Sequence, residues 1–388
     1  MSRLAAADEL DRSHRPPRLP RLLSSAAWLA VVAAGALFVA LITVIPSSTS
    51  GRPSAVVVAS LPYWNISNGT STVLANRHDF NEVSPWMYGL DNTGHIVLQY
   101  NSGDAAAVGA CLRRLRAARL PIVPTLANVI RGRFAYQPVA SILHNRSLMN
   151  QHVAAIAALV QQQHYAGIDI DYENLQAADR QVFTDFVTRL GVALHAKGKI
   201  LSVAVFAKTT NAGYDPRDVA QNYRAIGRAA DEIRLMAYDF HWETSGPGPI
   251  APITWIQAVL RYAKSQIPIK KIILGVPLYG YDWVGNHGTP VTWLRVFQLA
   301  TSYEAQPRYD TSSQSPWFTY TDNSGRKHEV WFENAESTKA KLGAARGSGI
   351  GGAYLWMYGN AETSTWSALH QALPSSAQAP ARMRPTAR

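Results

Sequence analysis

The sequence predicts an α/β chain folded as a (β/α)8 TIM barrel with one small insertion, preceded by a transmembrane helix. Three observations carry this. Eight short runs rich in Val, Ile and Leu recur along the chain, as strands covered on both faces require. Amphipathic segments of helical period separate them. Upstream of all eight, residues 22–51 carry no charged side chain, a stretch longer than the roughly 20 residues needed to cross a bilayer.

Taken from the N-terminus, residues 1–23 form a basic tail with five Arg against Asp8, Glu9 and Asp11. Residues 24–45 are the expected membrane helix, and 46–54, rich in Ser, Pro and Gly, the linker. A cleaved signal peptide is the competing reading, but its apolar region usually runs about 7–15 residues behind a short basic one. Arg12, Arg15, Arg18 and Arg21 leave the N-terminus in the cytoplasm and the rest of the chain outside the cytoplasmic membrane; secretion is the alternative. The whole chain of 388 residues is 47% hydrophobic and 16% charged, which excludes a disordered or fibrous protein. Its net charge of +11 is spread along the chain without a dense Lys/Arg stripe, so no nucleic-acid partner is expected.

The candidate strands are 55–61, 82–90, 121–126, 167–172, 200–206, 232–238, 271–277 and 352–357. Between them, Val153, Ile156 and Val160, then Val182, Phe186, Leu190 and Leu194, mark helix faces turned to a core. A domain over 55–370 suits a barrel of this kind carrying an insertion, since about 250 residues is typical. The insertion falls between strands seven and eight. There, Trp317 to Thr321 and His328 to Phe332 alternate around the turn Asp322-Asn323-Ser324-Gly325, the pattern of a hairpin. Residues 371–388 are poor in apolar side chains and read as a disordered tail. Cys111 is the single cysteine; it pairs with nothing in the chain and is expected as a small buried apolar residue on a helix.

The most informative stretch is Gly167-Ile168-Asp169-Ile170-Asp171-Tyr172-Glu173-Asn174, where acidic and apolar residues alternate strictly. With a period of two, Asp169, Asp171 and Glu173 share one face, about 6.5–7 Å between successive α-carbons. Ile168, Ile170 and Tyr172 are expected to face the helices. The carboxylates then face into the barrel, with Glu173 at the C-terminal end where barrel enzymes keep their chemistry. Burying charges unpaired is costly and like charges raise one another's pKa, so the row is expected to share a proton. A carboxylic acid kept protonated near neutral pH is what general-acid cleavage of a glycosidic bond needs. A solvated acidic edge strand and a divalent metal site are the competing readings. Flanking apolar runs oppose the first, and no neighbouring His or phosphate loop supports the second.

The run resembles the Asp-x-x-Asp-x-Asp-x-Glu signature of glycoside hydrolase family 18, the chitinase family, with Ala166 in place of the first Asp. The resemblance implies that Glu173 protonates the glycosidic oxygen, Asp171 orients the substrate's acetamido group, and Asp169 holds and tunes Asp171. The nucleophile would be the substrate's own carbonyl oxygen, one of the exceptions to the two-carboxylate scheme. Leu235-Met236-Ala237-Tyr238-Asp239 is similar to the family's Met-x-Tyr-Asp segment, which implies that Tyr238 donates its hydroxyl to the acetamido oxygen. Gly351-Gly352-Ala353-Tyr354-Leu355-Trp356 resembles the closing strand, whose Trp, here Trp356, floors a sugar subsite. Met236, Asp239, Tyr63, Trp86 and Tyr279 are further expected substrate-binding positions. The segments Tyr238-Asp239-Phe240-His241-Trp242, Gly246-Pro247-Gly248-Pro249-Ile250-Ala251-Pro252 and Leu274-Gly275-Val276-Pro277-Leu278-Tyr279-Gly280-Tyr281-Asp282-Trp283 are similar to the branch holding spore-cortex lytic N-acetylglucosaminidases.

The expected function is therefore hydrolysis of β-1,4 bonds in polymers containing N-acetylglucosamine, peptidoglycan or chitin-like, with a retaining outcome. No cofactor, metal or protein partner is expected; the partners are the polysaccharide and, through the N-terminal helix, a membrane. The alternatives are an inactive lectin on the same barrel, against which Glu173 argues, and an endo-acting enzyme on N-linked glycans.

Overall fold

The computed structural model describes residues 55–373 apart from 101 and 358–360. The basic tail, membrane helix and linker predicted over 1–54, and the C-terminal tail from 374, lie outside the described residues. Among the described residues no helix is long and apolar enough to cross a membrane.

Eight parallel strands close into a ring. They are Val56–Pro62, Glu82–Leu90, Thr125–Ala127, Gly167–Asp171, Ile200–Phe206, Glu232–Met236, Ile272–Pro277 and Gly352–Trp356. The first pairs with both the second and the eighth, which shuts the barrel. All eight expected strands are present, the second and fifth with the expected ends and the others with shifted ends. The third is shorter than expected because Pro121 and Pro124 have no N–H to give to the ladder, leaving an isolated bridge between Val83 and Ile122 ahead of it. A short antiparallel strand, Ile96–Leu98, is added beside the second. Helices cover the outside. Phe183, Phe186, Val187, Leu190 and Leu194 are the buried face of Arg180–His195, and Val153, Ile156 and Val160 that of Arg146–Gln162. Cys111 is buried on Ser102–Ala117.

The inside of the barrel is divided. Val56, Val58, Ile273 and Tyr354, from strands one, seven and eight, form a small apolar cluster. Strands two to six instead turn buried polar side chains inward: Glu82, Ser84, Thr125, Asp169, Ser202 and Arg234. Alternation accounts for both halves, since residues two apart share a face.

The insertion between strands seven and eight is larger than the hairpin expected. The hairpin itself forms, with Trp317 opposite Trp331 and Phe318 opposite Val330. It sits inside a five-stranded antiparallel sheet that also contains Gly280–Val284, His287–Val291 and Arg308–Asp310. Helix Trp293–Ser302 supplies Val296 and Leu299 to a separate core with Phe318, Tyr320, Val330 and Phe332.

Gly275, on strand seven, sits between two tyrosines. A Cβ there would lie 2.5 Å from the Leu235 carbonyl oxygen and 2.8 and 2.9 Å from the rings of Tyr238 and Tyr354. Its missing side chain lets strands six and eight bring those rings together. Gly275→Ala is expected to cost about 1–3 kcal/mol through overpacking, read as a lowered denaturant midpoint with an unchanged slope; an unaltered midpoint would remove the steric role given to this glycine.

Candidate active site

Strand four presents Ile168, Ile170 and Tyr172 to the helices, all fully buried. Tyr172 stacks on Phe186 at 5.6 Å, and its hydroxyl is 2.5 Å from His152 Nε2. Asp169, Asp171 and Glu173 consequently face inward and line one cavity of about 680 Å³ at the C-terminal end of the barrel. Asp169 is deepest. It accepts hydrogen bonds from Ser202 Oγ at 2.6 Å and Thr125 Oγ1 at 3.0 Å, and Arg234 stands 3.2 Å from it. Asp171 comes next, with one oxygen accepting a long 3.4 Å bond from the Trp86 indole N–H. Its other oxygen, Oδ1, is buried without a hydrogen-bond partner in the protein.

Glu173 is half-buried at the cleft, and its backbone is fixed from strand three's exit. The Asn128 side-chain amide donates to the Glu173 carbonyl at 2.8 Å and accepts from the Glu173 N–H at 2.8 Å. The chain then leaves the strand through Asn174 in the left-handed region, φ 57°, which Asn tolerates better than most residues. Sequence reasoning missed Asn128, because a clamp between residues 45 apart has no local signature.

Electrostatics follow from this packing. Burial, and then the neighbouring Asp169, push Asp171 up to about 7. Burial, and then Asp171, hold Glu173 well above its ordinary value of 4.5, with Arg217 opposing the rise. Arg217 is itself pinned by a fork to Asp215, 2.6 Å at its shortest, and lies over the Phe206 ring. Burial likewise raises Tyr238 and Tyr354 well above 10, so both are neutral phenols; their hydroxyls are 2.8 Å apart.

Of the other expected positions, Trp356, Met236, Asp239 and Trp86 line the cavity. Asp239, also left-handed at φ 55°, accepts from Tyr279 at 2.6 Å and Tyr281 at 3.2 Å. Desolvation raises it to about 6 against those two bonds. Tyr63 and Tyr279 do not line the cavity. Tyr279 is buried behind Asp239, its hydroxyl spent on that carboxylate. Tyr63 backs Trp86, rings stacked at 6.4 Å, and its neighbour Trp64 takes the cleft position instead. Trp64 meets Trp86 edge-on at 5.6 Å, and Trp86 and Trp356 lie tilted at 6.5 Å, on the side of strands one, two and eight. Across the mouth, beyond strands five and six, Tyr214, Phe240 and Trp242 stand exposed.

The site is thus a row of acids between two aromatic walls. Residues 129–361 match the family described as glycosyl hydrolases family 18. The chain belongs to that family. A Bacillus subtilis protein provisionally named a sporulation-specific glycosylase is 37% identical over 68% of this chain and 62% of its own length. The cortical fragment-lytic enzyme of Bacillus cereus is 32% identical over 63% of this chain and 58% of its own. The chain thus spans about three fifths of these curated relatives. The crystal structure of a chitinase from Chromobacterium violaceum superposes with a TM-score of 0.76 at 31% identity, covering 82% of this chain and 99% of that one.

The raised carboxyls cost stability in a family 18 barrel as in any other. A carboxyl whose folded pKa lies above its unfolded value stabilises least at high pH, because unfolding releases its proton. Asp171→Asn is therefore expected to stabilise the protein relative to wild type by about 2–4 kcal/mol at pH 8. The gain should shrink as pH falls from about 7 to 4, where the folded carboxyl is protonated while the unfolded one is still ionised, and be gone below that, where both are protonated. Melting curves at both ends of that window check it; a gain independent of pH would contradict the burial cost.

Proposed function

We propose that the chain hydrolyses β-1,4 bonds beside N-acetylglucosamine in peptidoglycan or chitin-like polymers by substrate-assisted, retaining catalysis. The observation that carries this reading is Asp171, which lines the same cavity as Tyr238 and Glu173 while its buried Oδ1 has no hydrogen-bond partner in the protein. An acetamido group placed there supplies what each side lacks: its N–H satisfies Asp171, and its carbonyl oxygen takes the Tyr238 hydroxyl. Trp356 lies beside them as an apolar platform for the pyranose face.

The steps follow from these placements. The acetamido oxygen, held by Tyr238, attacks the anomeric carbon while the bond to the leaving oxygen breaks. Glu173 gives its proton to that oxygen. Asp171 accepts the N–H as positive charge develops on the cyclic intermediate. Glu173, now a carboxylate, takes a proton from water, which opens the ring on the face the leaving group vacated and regenerates the acetamido group. Two inversions give retention without a protein nucleophile. The raised proton affinity of Glu173 supports its role as donor, and activity should fall as pH rises through it, because the donor is then lost.

Glu173→Gln is expected to reduce turnover of chitin oligomers and of purified peptidoglycan by more than 100-fold with the fold intact. A stable thiazoline analogue of the cyclised intermediate should compete with substrate in the wild type. Substrates without the acetamido group should not be cut. Binding without turnover would indicate the lectin instead, and a covalent glycosyl adduct a two-carboxylate enzyme.

We further propose that residues 24–45 anchor the protein in the cytoplasmic membrane with the barrel outside, a reading supported by the uncharged run over 22–51 behind Arg12, Arg15, Arg18 and Arg21. Detergent, but not high salt or carbonate, should release full-length protein from membranes; a soluble form starting near Pro46 would overturn the anchor in favour of secretion.

A further inference from the structure

A guanidinium buried among carboxylates in the middle of a barrel needs a reason, since a charge there is costly unless paired. Arg234, on strand six, is 1% exposed. It donates to Ser84 Oγ at 2.8 Å, pairs with Glu82, and stands 3.2 Å from Asp169 Oδ2 and 3.7 Å from Glu232. Its carbon lies 6.0 Å from the centre of the Tyr354 ring, whose hydroxyl meets Tyr238. The other groups on Asp169 are the hydroxyls of Ser202 and Thr125. Ser84 Oγ accepts from Arg234, gives its own proton to the Val123 carbonyl at 2.7 Å, and lies 3.0 Å from Thr125 Oγ1. The two hydroxyls on Asp169 can give or take a proton, whereas Arg234 can only donate, so Asp169 Oδ2 faces a fixed positive charge.

We propose that Arg234 is a positioning residue of this active site: by setting a fixed positive charge against Asp169 Oδ2, it places the proton shared by the Asp169–Asp171 pair on Asp171, beside the substrate. Arg234 touches no sugar in this scheme and acts through two carboxylates. The proposal rests on the roles given above to Asp171 and Glu173. The charged and titratable groups around the pair are Glu82 from strand two, Glu173 from the exit of strand four, Glu232, Tyr238 and Asp239 from strand six and its exit, Tyr354 from strand eight, and Arg217 from the short helix Pro216–Ala220 beyond strand five. Among these neighbours Arg234 is the cation in direct contact with Asp169. Its field opposes the rise of Asp171 that burial and Asp169 produce. Removing it leaves the pair holding its proton to higher pH, and removing its counter-charge Glu82 does the reverse.

The test is a pH titration of the Asp171 side-chain carboxyl by carbon NMR in the full-length protein, assigned by its absence in Asp171→Asn. It is run beside pH profiles of kcat/KM on N-acetylglucosamine oligomers. Arg234→Met is expected to move the Asp171 titration and the acidic limb of the profile upward by about one pH unit. Glu82→Gln should move both downward, and Arg234→Lys should stay within about half a unit of wild type. Should Arg234→Met not fold, the lysine and glutamine variants decide alone. Titrations that superimpose on wild type, or that shift the same way in Arg234→Met and Glu82→Gln, overturn the proposal. A wild type that titrates as described but cuts no substrate overturns the proposed function and leaves the positioning of Asp171 standing.

Discussion

The structure depends on keeping three carboxylates on one face of one buried strand. Asp169, Asp171 and Glu173 are forced inward by the alternation of strand four, while the apolar face of the same strand is committed to the helix layer through Ile168, Ile170 and Tyr172. Flipping the strand would bury the acids against helices, so their direction is fixed by the hydrophobic core. What remains is how to keep three like charges together. The barrel grades the solution with depth: Asp169 is surrounded by hydroxyls and a guanidinium, Asp171 keeps one oxygen unsatisfied, and Glu173 opens on the cleft. Burial raises the proton affinity of Asp171 and Glu173, where that compensation stops.

That gradient explains the polar half of the barrel interior. Glu82, Ser84, Thr125, Ser202 and Arg234 sit on the strands nearest Asp169 in the ring, whereas strands one, seven and eight, farther from it, fill the interior with Val56, Val58, Ile273 and Tyr354. Gly275 belongs to the same arrangement, because its absent side chain gives the Tyr238 and Tyr354 hydroxyls room to meet.

The eight strands were legible because a parallel strand covered on both faces must be apolar along its length, and the acid row was legible because it broke that rule with a strict period. The limits were physical too. The third strand was read too long because its prolines are apolar yet cannot donate. Most of the insertion escaped notice because His287–Val291 is largely exposed and carries Pro290 and Gly288 rather than an alternating pattern. Which of Tyr63 and Trp64 faces the cleft is set by a single 3-10 turn, to which neither the strand nor the helix period applies. Tyr279 was placed at the right end of the barrel, but its hydroxyl had a nearer carboxylate in Asp239. Arg234 was invisible as a site residue because its partner Glu82 lies 152 residues earlier, and a lone Arg in an apolar run carries no sign of what it will face.

The two walls of the cleft divide the work of holding a sugar. A pyranose presents an apolar face and a rim of polar substituents, so one side of its site must be flat and apolar and the other must offer hydrogen bonds. Trp356, Trp86 and Trp64 supply a run of rings in mutual contact, long enough to follow more than one residue of a polymer. Strands four and six bring the acids and Tyr238 to one end of that run, so on the proposed function the reacting sugar lies where the apolar platform meets the acid row. Beyond it, the loops after strands five and six replace the packed ring run by separate exposed aromatics and the Arg217–Asp215 pair. On the proposed function, the two halves of the substrate on either side of the scissile bond therefore meet different surfaces. Contact of this uneven kind favours holding one side firmly while the other departs, as a bond-breaking cleft requires and a uniform binding groove does not.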